Sequence, residues 1–95
     1  MGEQSVLDFK PRARGMLIGG IPWLARITDK ARASLAGRIG DYIYPCPADQ
    51  RFLAEVGMSA EEFTELVVTS PDDDEVIRRV QAHVAATRPS AAVPR

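Results

Sequence analysis

The sequence predicts a mainly α-helical protein: a small bundle of about four helices, an irregular loop rich in tyrosine and proline, and at most a short two-stranded ribbon. Apolar residues recur at intervals of three and four in four separate stretches, the spacing that lines one face of a helix. Between the stretches stand residues that start and stop helices, Ser59 and Ser70 before and Gly37 and Gly57 after. With 95 residues the chain is long enough for one domain with its own core and too short for two of ordinary size. The expected domain covers residues 1–88. Its first fifteen residues read as an extended arm anchored by Val6, Leu7 and Phe9. Residues 89–95 carry no periodicity and are expected to be a disordered, dispensable tail.

The elements follow in order. Residues 16–21, MLIGGI, are apolar but broken by two glycines, which permit positive φ. A helix is expected over 22–36, with Pro22 in its first turn and Trp23, Ile27, Ala31 and Leu35 as its stripe. Gly37 ends it. Residues 38–47, RIGDYIYPCP, cannot be helical through Gly40, Pro45 and Pro47. They are β-prone, and a short ribbon with residues 16–19 is the most they offer. A second helix starts at Pro47 with Cys46 as N-cap and Asp49 as third residue, and ends at Gly57. A third begins at Ser59, where Glu62 completes a capping box and Met58 and Phe63 occupy the staple positions. The fourth is expected to take Ser70 as N-cap and Pro71 as first residue. Its acidic run Asp72, Asp73, Asp74 and Glu75 then suits the positive end of the helix dipole and is not read as a metal site.

Net charge is −1, but residues 1–51 carry a balance of +3 and residues 52–95 a balance of −4. Between positions 10 and 40 only Asp29 opposes Lys10, Arg12, Arg14, Arg26, Lys30, Arg32 and Arg38. An overall acidic sum argues against general nucleic-acid binding. No apolar run is long enough to cross a membrane, and nothing resembles an export signal, so a cytoplasmic setting is expected. One cysteine excludes an internal disulfide and a multi-cysteine metal cluster. The chain has no GxSxG, HExxH, CxxC, Walker or dinucleotide fingerprint, so neither a metal nor a cofactor is implied.

The chemistry-bearing residues concentrate in the loop 41–50. Cys46 at a helix N-terminus would feel N–H groups and a dipole that favour the thiolate. Asp49 beside it works the other way. A free cysteine is more often a small buried hydrophobe, and that reading has priority. Asp29, with Arg26 and Arg32 three positions to either side, reads first as an intrahelical ion-pair ladder. The sharper reading is a clamp orienting an arginine toward an anionic ligand or a partner carboxylate. His83, on the last helix, reads as a satisfied or exposed histidine that either borders the core or points to solvent, and Trp23 reads as core or groove lining.

The strings DKARASLAG at 29–37, IGDYIYPCPADQRFLAEVGMSAEEF at 39–63 and SPDDDEVIRRVQAHV at 70–84 resemble a small, uncharacterised bacterial family of unknown function. That family shows a Pro-Arg arm, a Gly-Gly turn, a DKARA helix, a YxYPCPxDQ loop and two acidic-capped helices. The resemblance spans nearly the whole chain and implies a bacterial cytoplasmic setting without an established activity. Residues on its motif positions are Arg26, Asp29, Lys30, Tyr42, Cys46, Asp49 and Gln50.

The first reading of function is a non-catalytic accessory or binding module. Its groove would lie between the 22–36 helix and the 41–50 loop, with Arg26, Lys30, Tyr42, Tyr44 and Gln50 as ligand contacts. The partner would be another protein or a small anionic ligand. The second reading is a small enzyme using Cys46 with Asp29 or Asp49. The third is an anion or nucleic-acid binder using the N-terminal basic cluster.

Overall fold

The structure is a computed structural model, and residues 9–87 are described. The expectations for the arm before Phe9 and for the tail 89–95 lie outside the described residues. Four helices form among them: α1 (Leu24–Leu35), α2 (Pro47–Val56), α3 (Ala60–Val68) and α4 (Asp73–Thr87). The chain is therefore mainly α, as its periodicity predicts. The central element is α3, which packs on each of the other three helices.

Each helix turns most of its apolar stripe inward, although Leu35 at the end of α1, expected in the stripe, is 53% exposed. Leu24, Ile27 and Ala31 of α1 meet Phe52, Leu53 and Val56 of α2, Phe63 and Val67 of α3, and Val76 and Val80 of α4. Phe52 and Phe63 cross edge to face at 6.4 Å in the middle. Burial of this set is the main stabilising contribution to the fold.

The helix ends follow local chemistry. Cys46 and Asp49 form a reciprocal capping box at the start of α2, and Ser59 and Glu62 form another at the start of α3. At the end of α2, Gly57 adopts φ 78°, its N–H reaches Ala54 O, and Met58 N–H reaches Leu53 O at 3.0 Å. This is the paired closure that needs a left-handed residue, and Gly37 closes α1 in the same way.

Three local expectations are corrected. The first helix begins at Leu24, because Trp23 takes a left-handed φ of 74° as N-cap and leaves Pro22 in the preceding turn. Residues 16–19 do not pair with the 38–47 segment. Ile18 instead exchanges hydrogen bonds with Ile21 across Gly19 and Gly20, whose positive φ values suit a two-residue turn. The fourth helix begins at Asp73 rather than Pro71. Ser70 Oγ donates to Leu66 O at 2.6 Å, so it closes α3 and is not free to open α4. The cap passes to Asp72, whose carboxylate accepts Glu75 N–H at 3.0 Å.

Candidate functional site

The loop between α1 and α2 carries the expected chemistry, and α1 packs beside it. Lys30 projects from α1 into this contact. Its Nζ donates to Asp49 Oδ2 at 2.7 Å and lies 3.3 Å from Cys46 Sγ. Asp49 also accepts Cys46 N–H at 3.0 Å and Trp23 Nε1–H at 2.8 Å. The carboxylate is wholly buried and the lysine is 3% exposed. Burial alone would raise the Asp49 carboxyl, but donation from Lys30, from Cys46 N–H and from Trp23 outweighs it and holds the group below its usual range. Cys46, half-buried, accepts Asp49 N–H on its sulfur as the α2 cap.

Other loop residues make contacts elsewhere, Tyr44 to α3 and Gln50 to Pro45. The Tyr44 hydroxyl pairs with Thr64 Oγ1 at 2.7 Å, and burial pushes its pKa upward. The Tyr44–Pro45 peptide is cis. Gln50 is exposed and donates to Pro45 O at 3.2 Å. His83 contacts Gly57 O at 2.8 Å. That places it at the far end of α2 from Cys46, about 15 Å of helix away.

Asp29 belongs to a different group. It accepts the Arg12 backbone N–H, Nε–H and Nη2–H, at 2.8, 2.9 and 2.9 Å. The same guanidinium donates to Asp73 at the start of α4, where Arg32 also donates. The hydrogen bond from Arg12 is the main reason the Asp73 carboxyl lies below its usual range. The ladder of Arg26, Asp29 and Arg32 within one helix does not form. Asp29 does orient an arginine toward a carboxylate, but the arginine is Arg12 of the arm and the carboxylate is the chain's own Asp73.

Arg26 is released for another arrangement. Its guanidinium stands over Trp23 at 5.7 Å and over Tyr42 at 5.8 Å, and Arg14 stands over Trp23 at 5.9 Å. Phe9 meets Tyr42 edge-on at 5.5 Å. Arg26 Nη1 donates to Arg12 O at 3.2 Å, while its buried Nε has no partner among the described residues. The Trp23 bond to Asp49 thus fixes an indole whose surroundings are arginines. Cation–ring contacts at these distances are attractive.

The structure therefore brings Lys30, Cys46 and Asp49 together, and separately Arg26 with Tyr42. Tyr44 and Gln50 hold the loop, and Asp29 holds the arm. Sequence reasoning named Arg12 and Arg14 only as members of the basic cluster, and it missed the Trp23–Asp49 bond. A signal for the buried pair was present. Lys30 follows Ile27 by three positions, and Asp49 precedes Phe52 and Leu53 by three and four, so both charges fall on apolar faces. The ion pairs of Arg12 join residues 17 and 61 positions apart and have no local signature.

An open groove of about 430 Å³ lies on the other side of α2. It is lined by Ile21, Pro22, Phe52, Val56, Val84 and Ala85, with Glu55 and Gln81 at its rim. A shallower depression of about 270 Å³ continues from it past Pro22 and Phe52 to Trp23, Ala48 and Arg51. No group of three or more His, Cys, Asp or Glu suited to a metal ion occurs among the described residues. Nor is any described helix long and apolar enough to cross a membrane.

No curated protein matches the chain. Residues 9–93, which include every described helix, match the family described as Domain of unknown function (DUF5069), and the chain belongs to that family.

Proposed function

We propose that this chain is a non-catalytic binding module that recognises an anionic group through the face formed by Arg14, Trp23, Arg26 and Tyr42. The observation that carries the reading is how the cations divide. Arg12, Lys30, Arg32, Arg78 and Arg79 are each paired with a carboxylate. Lys10, Arg14, Arg26, Arg38 and Arg51 have no ion pair among the described residues, and two of these five, Arg14 and Arg26, lie against the Trp23 ring. A guanidinium held over an aromatic face can still turn edge donors to a carboxylate or phosphate, which for Arg26 leaves Nη2, since Nη1 donates to Arg12 O and Nε is buried. Lys30, Tyr44 and Gln50 enter the proposal as the groups that fix the loop behind this face. The resemblance to a bacterial family supports a bacterial cytoplasmic setting.

Trp23 is the chain's one tryptophan, so its fluorescence reports directly on the proposed surface. Titration with inorganic pyrophosphate and with a decaglutamate peptide should give a saturable change for at least one of them. Arg14→Ala or Arg26→Ala should weaken it about tenfold or more, the effect of losing one charge-assisted hydrogen bond. An emission spectrum unmoved by both probes refutes the reading, as does a response that neither variant alters.

A small thiol enzyme using Cys46, with Asp49 in support, draws on the 3.3 Å contact between Lys30 Nζ and the sulfur. It ranks second for two reasons. Lys30 lies closer to Asp49, at 2.7 Å, so its charge is already engaged, and the sulfur is occupied as a helix cap.

A further inference from the structure

We infer that the groove along α2 docks a segment of a partner protein that places apolar side chains over Phe52, Val56 and Val84 and an acidic residue against Arg51. This inference rests on the anionic-partner reading and adds to it the kind of partner. The groove and the depression beside it share Pro22 and Phe52 on their walls, so they form one continuous surface. One end is apolar, with Ile21, Val84 and Ala85 around a recessed floor. The other end reaches Trp23 and the exposed Arg51, next to Arg14 and Arg26. Glu55 stands on the rim between them. The acid belongs at the Arg51 end, where that exposed guanidinium has no ion pair among the described residues.

The size of the groove suits side chains rather than a whole domain, since about 300–1,000 Å³ is the range of sites that enclose small ligands. Its depth separates a polypeptide from a membrane. The floor residues Phe52 and Val56 are 7% and 8% exposed, out of reach of a flat bilayer surface but accessible to an inserted side chain. Apolar contact supplies the driving force, and the arginines set direction and select the acidic end.

The test is selection of a random linear-peptide library on the full chain, followed by titration of the enriched peptide, synthesised with a fluorescent label. The expected peptides carry apolar residues with Asp or Glu toward one end. Their affinity should fall about tenfold or more, some 1.4 kcal/mol, both with Ala85→Arg, which fills the groove, and with Arg51→Glu. Both positions are exposed, so neither change threatens the core. Acidic peptides that bind through Arg14 and Arg26 and ignore Ala85→Arg overturn the groove and leave the anionic reading standing. Purely apolar peptides that ignore Arg51→Glu overturn the anionic reading itself. The inference also fails if no peptide is enriched, or if Ala85→Arg instead abolishes self-association or the binding of phosphatidylglycerol vesicles. Enrichment that requires removal of residues 88–95 would assign the groove to the chain's own C-terminal segment and overturn it too.

Discussion

Asp49→Asn tests the centre of the α1–loop contact. The substitution keeps the volume and keeps Oδ1 as acceptor for Trp23. It turns the other oxygen, which accepts from Lys30 at 2.7 Å and from Cys46 N–H at 3.0 Å, into an N–H₂ group facing two donors. Lys30, 3% exposed, is left as a buried ammonium without a counter-charge. Breaking a buried ion pair from one side costs about 3–5 kcal/mol. A domain of this length has only about 5–14 kcal/mol in total, so about a fifth or more of it should disappear. Urea unfolding followed by far-UV circular dichroism measures this, and the melting temperature should fall by about 12 °C or more. Lys30→Met placed in the same chain should recover about 2 kcal/mol, because the orphaned charge is gone. The wild type also carries a pH signature. Its Asp49 carboxyl is held below the ordinary 3.8, so the stabilisation is present above that value and is lost as pH falls through the lower folded one. The variant should show less of this acid loss. A cost below about 1 kcal/mol, or no recovery with Lys30→Met, refutes the claim that a buried charge pair holds the loop to α1.

Three further outcomes are expected. Gly19→Ala should destabilise more than Gly20→Ala. Both glycines have positive φ, costing about 1–2 kcal/mol for alanine, but a Cβ at Gly19 would also overlap Ile77 Cγ2, whereas at Gly20 it meets open space; equal melting temperatures would contradict the packing of the turn on α4. Asp29→Asn should lower stability by about 1.5–3 kcal/mol, as expected for loss of charge-assisted bonds from Arg12, and should speed tryptic cleavage after Arg12; unchanged cleavage would mean the arm is not held there. Cys46→Ser should be nearly neutral because serine is a good N-cap, while Cys46→Ala should cost about 1 kcal/mol. Rapid alkylation of the native thiol by iodoacetamide below pH 7 would favour the thiol-enzyme reading over a capping role.

Much of the fold was legible in the sequence because its determinants are local. The stripes of α1 to α4 repeat within a single helix, and capping boxes span three residues. The closures at Gly37 and Gly57 depend only on a residue free to adopt positive φ. Cys46 as N-cap with Asp49 at the third position could be read from the string CPAD alone. The errors also had local causes: Ser70 could serve the helix before it or the one after it, and Asp72, two residues on, was an equally good cap for the second. Partner choice among charges was a different matter. Asp29 has arginines three positions away on both sides, yet it binds Arg12, seventeen positions distant, because the arm crosses α1 there. Arg26, freed by that choice, turns to Trp23 and Tyr42. Likewise Lys30 and Asp49 each sit on an apolar face, but only the packing of α1 on the loop puts them 2.7 Å apart and out of water. The groove along α2 depends on Ile21, Phe52 and Val84, which no sequence spacing relates. Local backbone geometry acts over three or four residues and can be read from order alone. Charge pairing and surface shape depend on which elements meet, and that is decided only when the whole core closes.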